Sequence, residues 1–518
     1  MQAFEGLNAY YGDLHNHCDI SYGHGSLQEA IDNARQQLDF CSVTGHALWP
    51  DMPSPDDALL QNMADYHLAG FAHLREVWPQ VQRTMEANNL PGHFVTFLSF
   101  EMHCTADGDY TVLYNGSSGE ILYVAGVAEL LDRLRMLRSG GTEAIAFPHH
   151  IGYGPGQRGI NWARLDEELS PLVEIVSIHG CSEADESPRP FLAVNGPSEH
   201  EGIMLRGLEA GYFFGVIGST DHHSAHPGSY GHGRTGLWAR SNTRAGIWEA
   251  LNSRRTWALT GDRISLRFAL NRRPMGSRIA SSEQRQMEFH VVGGGPLDYV
   301  DVVKNGELLR RVSRCDVAQG TDRDLVETKL ILEVGWGRVQ TPVDWEIQLG
   351  ISDGRILAVE PRFRGTQVLV PRVTQSGEPP AQRCPSWEFV DPLGVRFAAR
   401  TRGNPNPVTP STQGMCLHVQ MPAKAMVECM INGRRIELPV TQLLEGAQAG
   451  RLGKIGNAAY RLHRAPRRWE YDWRAELEDI SSEPNRRDVY YLRVRQLNDQ
   501  WAWSSPIEVG TVQPSDVV

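Results

Sequence analysis

Residues 12–17 read Gly-Asp-Leu-His-Asn-His, and this stretch sets the expectation for the N-terminal half of the chain. Side chains alternate along a β-strand, so His15 and His17 would face the same side of one. Two residues so spaced lie roughly 7 Å apart, which lets two imidazoles hold one metal ion. A His-x-His pair alone is not specific, so its meaning depends on the segments that follow.

Five later segments are apolar, rich in β-branched residues and of strand length, and each carries His, Glu or Asp at its C-terminal end. They are 38–46 (LDFCSVTGH), 93–101 (HFVTFLSFE), 143–150 (EAIAFPHH), 172–180 (LVEIVSIHG) and 212–221 (YFFGVIGSTD). Helical patterns lie between them, at Leu27 to Gln37, Asp57 to Asn88, Val127 to Arg138 and Glu199 to Ala210. Functional residues of parallel α/β folds gather at the carboxyl ends of the strands, so we predict an α/β barrel with these side chains at one end.

The pattern changes after Ser265. Short alternating runs are separated by turn dipeptides such as Asn305-Gly306 and Asn432-Gly433, which is typical of antiparallel sheet. We therefore predict a barrel over 1–264 and a β-rich, sandwich-like region over 265–518. This region would consist of one module, or of two divided near 375–410, with a structural or oligomerising role.

The composition excludes several classes of protein. A formal charge of −12 argues against a nucleic-acid or membrane-surface partner, because both need clustered basic residues. No lysine precedes Lys304, so the first half has neither a P-loop lysine nor a Schiff-base lysine. The eight cysteines are scattered, and no signal peptide or membrane-spanning run is visible. We expect a cytoplasmic protein with reduced thiols that acts on a small, anionic molecule.

Histidines are concentrated in the first half, where sixteen of nineteen lie at or before His232. They include His46, the adjacent His149 and His150, and His179, while Glu101 and the Asp221-His222-His223 run end two other segments. Burying so many imidazoles and carboxylates together would be costly without cations to neutralise them. Adjacent strand residues face opposite ways, so this reasoning favours His149 over His150 as a ligand.

The ordered set of motifs over residues 9 to 262 resembles the PHP (polymerase and histidinol phosphatase) family of metal-dependent phosphoesterases. The motifs are His-x-His, a Thr-x-His strand end, a lone Glu, two separate His strand ends and Ser/Thr-Asp-x-His. The resemblance implies a distorted (β/α)7 barrel with two or three divalent ions, Zn, Mn or Fe. GDLHNH, PHH, IHGCSE and AWSSPI together look more narrowly like the long subgroup called DUF3604.

The resemblance also implies which residues bind each ion. Three ligand sets follow from it: His15, His17, Glu101 and Asp221; Glu101, His149 and His179; and His46 with His223.

This sequence differs from the family pattern at two positions that affect the third ligand set. The Thr-Asp-His of the family is Thr44-Gly45-His46 here, which removes a carboxylate. His24 stands one residue further along than the family's extra histidine, and Asp19 is an alternative to it.

Metal-bound water would need no serine or cysteine nucleophile. A spare histidine (His222, His226 or His103) could protonate the leaving group, and Asp13 could orient a ligand imidazole. Arg158 and Arg234, on glycine-rich loops, could bind a phosphate.

We therefore expect a metal-dependent hydrolase that acts on a phosphoester. The alternatives are hydrolysis of a C–N bond, carboxylic ester or lactone by the same centre, and a non-catalytic metal-containing binding protein.

Overall fold

The structure is a computed structural model that describes residues 1–56, 58–193, 195–320, 324–339, 341–365 and 384–510. Its helices are α1 (Leu27–Gln37), α2 (Ala58–Ala87), α3 (Val127–Ser139), α4 (Met204–Glu209), α5 (Arg244–Asn252), α6 (Val440–Glu445) and α7 (Arg468–Tyr471). None of the helices in these ranges combines the length and the apolar character needed to cross a bilayer.

The strands that build the N-terminal half come first in the chain. They are β1 (Asn8–Asp13), β2 (Phe40–Ser42), β3 (Gly45–Leu48), β4 (Val95–Met102), β5 (Tyr110–Tyr114), β6 (Ala144–Pro148), β7 (Leu172–Ser177), β8 (Gly180–Cys181), β9 (Gly215–Gly218), β10 (Arg234–Ala239) and β11 (Thr256–Leu259).

Antiparallel pairing dominates the rest of the chain. Its first strands are β12 (Ser265–Leu270), β13 (Arg273–Pro274), β14 (Arg278–Ile279), β15 (Gln284–Val292), β16 (Leu297–Lys304), β17 (Glu307–Ser313), β18 (Leu325–Gly335), β19 (Val343–Ile351) and β20 (Arg355–Arg362). The remainder are β21 (Ser386–Asp391), β22 (Gly394–Thr401), β23 (Gln413–Pro422), β24 (Met426–Ile431), β25 (Arg434–Pro439), β26 (Gln448–Arg451), β27 (Ala459–Leu462), β28 (Asp472–Ile480), β29 (Asp488–Gln496), β30 (Trp501–Ser504) and β31 (Ile507–Val509).

Local sequence explains the helices that begin where the pattern predicts. At the start of α1, the Ser26 side chain accepts a hydrogen bond from the Glu29 backbone N–H, and the Glu29 carboxylate accepts one from the Ser26 backbone N–H. Helix α2 occupies Ala58–Ala87 of the predicted stretch, ending one residue before Asn88, and Asp57 lies outside the described residues. Helix α4 is shorter than predicted, because 3₁₀ helix at His200–Gly202 replaces its first turn.

Each of the five predicted strand segments contains a strand. Strands β1, β2 and β4 are parallel neighbours, whereas β5 joins β4 to β6 by antiparallel pairing. Strands β7 and β9 are parallel in a separate three-stranded sheet. The structure is thus mixed α/β followed by a β-rich half, as predicted. The (β/α)7 barrel is not confirmed, because strand directions are mixed and the described ladders fall in separate sheets.

Two five-stranded sheets form a sandwich in the C-terminal half. One contains β18, β20, β23, β26 and β27, the other contains β19, β21, β22, β24 and β25, and an apolar core lies between them. The division predicted near 375–410 has its first part, 375–383, outside the described residues. Within the remainder, β21 and β22 pair in one sheet, so no boundary separates them.

Strand pairing also crosses the predicted limit at residue 264. Strand β30 pairs with β11, with Trp257 opposite Ser504, so the last strands of the chain extend the N-terminal sheet. One sheet thus contains strands from both sides of residue 264, and the limits 1–264 and 265–518 stay a prediction. An oligomerising role for the C-terminal half stays a prediction.

We predict that Trp503→Ala destabilises the whole protein. The side chain is fully buried in a core shared with Val176 and Ala258, and its Nε1 donates to Glu183 Oε2 at 2.6 Å. Removing a buried tryptophan costs about 3–5 kcal/mol, so thermal unfolding should occur at a clearly lower temperature. Leu308→Ala, at a half-exposed side chain, is the control. An equal melting temperature for both variants would contradict this packing.

Candidate metal centre

His15 and His17 follow directly after β1 rather than lying on it. Both rings are fully buried, and their Nε2 atoms are 3.2 Å apart. Two backbone bonds hold this turn against the loop after β9: Asp221 donates to the carbonyl of His15, and His17 to that of His222, both at 2.8 Å. The pair therefore meets Asp221 because two strand ends are joined through their backbones.

Two carboxylates lie between the imidazoles. Glu101 Oε2 is 3.2 Å from the Nε2 atoms of both His15 and His17, while its Oε1 is 3.2 Å from His149 Nε2. Asp221 Oδ1 is 3.0 Å from His17 Nε2, and its Oδ2 is 2.8 Å from His179 Nε2. Each carboxylate thus has its two oxygens facing different histidines, which is the arrangement of a group that can bridge two cations.

Five groups of potential ligand atoms form around these carboxylates, with the atoms of each group within 4.8 Å of one another. We call their residues together the candidate metal centre. The groups are His15, His17 and Asp221; His17, His46 and His223; His46, Glu101 and His103; Glu101, Asp109, His149 and His150; and His150, His179 and Asp221. Because the groups share members, the arrangement could hold more than one ion.

The expectation that only one of His149 and His150 faces the centre is wrong. Strand β6 ends at Pro148, and His150 has a left-handed backbone with φ of 31°. The alternation of a strand no longer applies there, and both residues join the same ligand group. His150 Nε2 lies 3.4 Å from Asp109 Oδ2.

Asp109 and Glu174 are site residues that the sequence reasoning missed. Asp109 precedes β5, so the β4–β5 hairpin returns it to Glu101, and no periodic pattern marks it. Glu174 lies on β7 and is buried, with Oε2 3.1 Å from His15 Nδ1. A carboxylate within the apolar run LVEIVS was the signal that could have identified it.

The Nδ1 atoms of four other histidines also have partners on the outside of the centre. These are the Thr44 carbonyl for His17 at 2.5 Å, Ser21 Oγ for His46 at 3.0 Å, Thr111 Oγ1 for His149 at 3.3 Å and the Tyr153 hydroxyl for His179 at 2.5 Å. Such partners fix ring orientation and direct Nε2 inward, as around protein-bound metals.

Asp13 does not orient a ligand imidazole, contrary to expectation. Its carboxylate accepts bonds from the backbone N–H groups of His15, Thr220 and Gly228 and from the Thr220 hydroxyl. Burial raises the pKa of Asp13 to about 6. Asp13 therefore anchors the two loops that carry the ligands.

His24 and Asp19 belong to none of the ligand groups of the described residues. The His24 backbone donates to the carbonyl of His223 at 2.9 Å, and Asp19 is exposed. The choice between them as a further ligand stays open.

The electrostatics of the centre favour a cation. Burial raises the pKa of Glu101, but His46, His103 and His149 hold it well below its ordinary value. Burial also raises the pKa of Asp221, but His15 and His179 hold it well below its ordinary value. Ionised carboxylates in a buried site attract positive charge, and deprotonated groups are the ones that bind metals.

Of the residues expected to act on the substrate, Arg158 lies at the centre. Its Nε is 2.8 Å from Asp109 Oδ2, its Nη2 is 2.6 Å from His103 Nδ1, and 17% of its side chain is exposed. It is therefore paired with the centre and only partly exposed.

Arg234 is placed differently from the expectation. It is fully buried, and its guanidinium donates to the carbonyls of Gly228 and Gly261 and to Gln37 Oε1. These bonds engage all three of its nitrogens. Arg234 therefore connects Gln37, Gly228 and Gly261 and is not available to a phosphate.

His222 and His226 lie outside the ligand groups. The ring of His222 stacks on His232 at 5.5 Å, and the backbone of Gly365 packs against both His222 and His226. Among the described residues neither ring joins Glu101 or Asp221 in a ligand group, so this geometry does not favour them as proton donors.

The chain is similar to several known proteins over limited stretches. A family described as "Protein of unknown function (DUF3604)" matches residues 229–271. An uncharacterized protein of Chlamydia pneumoniae is 27% identical over 169 residues, which cover 30% of this chain and 27% of that protein. An uncharacterized protein of Chlamydia muridarum is 27% identical over 168 residues, which cover 29% of this chain and 27% of that protein. The chain thus spans about a quarter of the length of the curated relatives it matches.

A solved structure is also similar. It is a crystal structure of a two-domain protein containing a predicted PHP-like metal-dependent phosphoesterase from Bacteroides vulgatus ATCC 8482. It is 15% identical with a TM-score of 0.30, and the match covers 62% of this chain and 82% of that one. A TM-score this low supports no conclusion about the fold or function of this protein. The DUF3604 match contains Arg234 but starts after Asp221 and His223, so it includes none of the candidate ligands.

We predict that Glu174→Gln weakens metal binding while leaving the fold intact. The amide matches the carboxylate in size but removes the charge beside His15 Nδ1. Changes to such outer partners lower metal affinity about 10- to 100-fold, measurable by competition with a chromogenic chelator. Glu168→Gln, at an exposed carboxylate, is the control. Unchanged affinity in Glu174→Gln would show that this contact does not support a metal ligand.

Proposed function

We propose that this protein is a metal-dependent hydrolase that acts on a phosphoester. The observation that carries the proposal is the overlap of five ligand groups around Glu101 and Asp221. Structural zinc sites are closed and four-coordinate, whereas this set offers more ligands than one closed site uses. The surplus supports a centre with positions open to water and substrate.

The donor set suits two or three divalent ions such as Zn, Mn or Fe, because it combines imidazole nitrogens with carboxylate oxygens. His15, His17, Glu101 and Asp221 would hold one ion, Glu101 would contribute to a neighbouring one, and bound ions would supply an activated water and a site for negative charge. The outer partners of the rings keep Nε2 directed at the ions.

Arg158 supports the choice of an anionic substrate. Its side chain is partly exposed beside the centre, and Asp109 keeps it in place. Asp109 and His103 engage Nε and Nη2 of this guanidinium, so Nη1 is the nitrogen left to donate to a phosphate. We propose that Nη1 binds a non-bridging phosphate oxygen, with His103 beside it.

The decisive experiment combines metal analysis with an activity panel. Purified protein should contain a transition metal and release phenolate from aryl phosphates, and a chelator should abolish this release until metal is restored. The double variant His15→Ala/His17→Ala should lose both metal and turnover. His200→Ala, at an exposed histidine that pairs with Asp185 and belongs to none of the ligand groups of the described residues, should keep both.

Other outcomes would favour the alternatives. Metal-dependent turnover of amides or lactones alone would mean that the same centre acts on a non-phosphate bond. Stoichiometric metal without hydrolysis of any substrate would favour a binding protein. Full turnover by the double histidine variant would refute a hydrolytic role for this centre.

A further inference from the structure

A cavity of about 320 Å³ lies where the two halves of the chain meet. Helix α1 and the loop after β9 contribute Asn33 and His226 from the N-terminal half, and residues between 400 and 413 contribute most of the opposite wall. Pockets that bind small molecules start at about 300 Å³. This cavity is therefore large enough for a compact ligand.

The cavity is separate from the candidate metal centre. None of its lining residues belongs to a ligand group of the residues that the structure describes. It adjoins the loop after β9, because His226 lies on this loop and the backbone of Gly365 packs against His222 and His226. A ligand in the cavity is therefore distinct from the molecule that the centre binds.

The charged side chains that line the cavity are all positive. They are Arg364, Arg400 and Arg402, and no aspartate or glutamate lines it among the described residues. Arg400 is neutralised by Asp344, because its Nε and Nη2 lie 2.8 and 3.0 Å from the two carboxylate oxygens. Within the described ranges, Arg364 and Arg402 have no carboxylate at ion-pair distance. Two positive charges therefore remain unpaired.

Arg364 is held in a fixed orientation by uncharged groups. Its Nε donates to the Thr412 carbonyl at 3.1 Å, its Nη1 donates to the Tyr230 carbonyl at 2.7 Å, and its guanidinium lies 4.6 Å from the centroid of the Tyr230 ring. Burial lowers the pKa of Arg364, because the guanidinium has lost water without gaining a carboxylate. An anion in the cavity would supply the missing counter-ion.

The remaining wall selects for a small ligand. Val339, Pro385, Pro405 and Pro410 line it beside the arginines. Guanidinium groups donate strong, charge-assisted hydrogen bonds to phosphate and carboxylate oxygens. Two unpaired guanidinium groups in one small cavity match a molecule that carries two anionic groups.

We infer that this cavity binds a small dianionic molecule, a diphosphate or a dicarboxylate, with its anionic groups at Arg364 and Arg402. The ligand is bound without chemical change. The inference does not depend on the reaction at the candidate metal centre, and either can fail without the other.

Calorimetric titration of the purified protein tests this, with pyrophosphate and succinate as parallel probes that distinguish a diphosphate from a dicarboxylate. At least one probe should bind, and Arg402→Gln should weaken its binding about tenfold or more, because a charged hydrogen bond is lost. Arg402 lies in a loop and is partly exposed, so the variant should fold normally. Arg396→Gln is the control, since Arg396 is an exposed arginine of β22 that does not line the cavity.

Pyrophosphate also binds metal ions, so the position of the bound probe is measured separately. Hydrogen exchange of residues 400–413 should slow when the probe is added to the unmodified protein, and should not slow in Arg402→Gln. The double variant His15→Ala/His17→Ala should still bind the probe, because the cavity shares no residue with the ligand groups.

The other outcomes would overturn the inference. Failure of both probes to bind, or equal affinity in Arg402→Gln and the unmodified protein, would show that the cavity is not an anion site. Binding that only the double histidine variant loses would place the probe on the metal ions. Equal weakening in Arg396→Gln would show that the binding follows overall charge rather than this cavity.

Discussion

The burial of Glu101 and Asp221 is the constraint on which the site depends. Both are almost inaccessible to water, and both stay ionised because imidazoles surround them. A buried carboxylate is stable only with positive partners close by. Uncharged imidazoles satisfy this need only in part, so the arrangement is most stable when cations lie between the carboxylates and the Nε2 atoms.

The backbone makes this crowding of charge feasible. Asp13 ties the turn after β1 to the loop after β9, and the hydrogen bonds between residues 15–17 and 221–222 complete the link. The ligands therefore lie on ends of strands whose positions the sheets fix. Rigid placement of this kind reduces the entropy lost when ligands gather around an ion.

Sequence patterns predicted the strands well because apolar, β-branched runs are the segments that a fold buries as strands. They also predicted that His46, Glu101, His179 and Asp221 would meet, since strand ends of a sheet converge. They could not predict Asp109, which depends on a hairpin between β4 and β5, or the left-handed turn that directs His150 inward. Arg234 was misjudged because a glycine-rich loop suggests exposure, whereas the surrounding carbonyls enclose its side chain.

The pairing of β30 with β11 has a consequence for how the chain is made. Ribosomes release the N-terminal segments first, yet the edge of β11 is covered only when residues 501–504 have been synthesised. Until then the nascent chain exposes an unpaired strand edge and the apolar surface beneath Trp503, both of which invite aggregation. We therefore expect the newly synthesised chain to depend on chaperones until its last strands are in place.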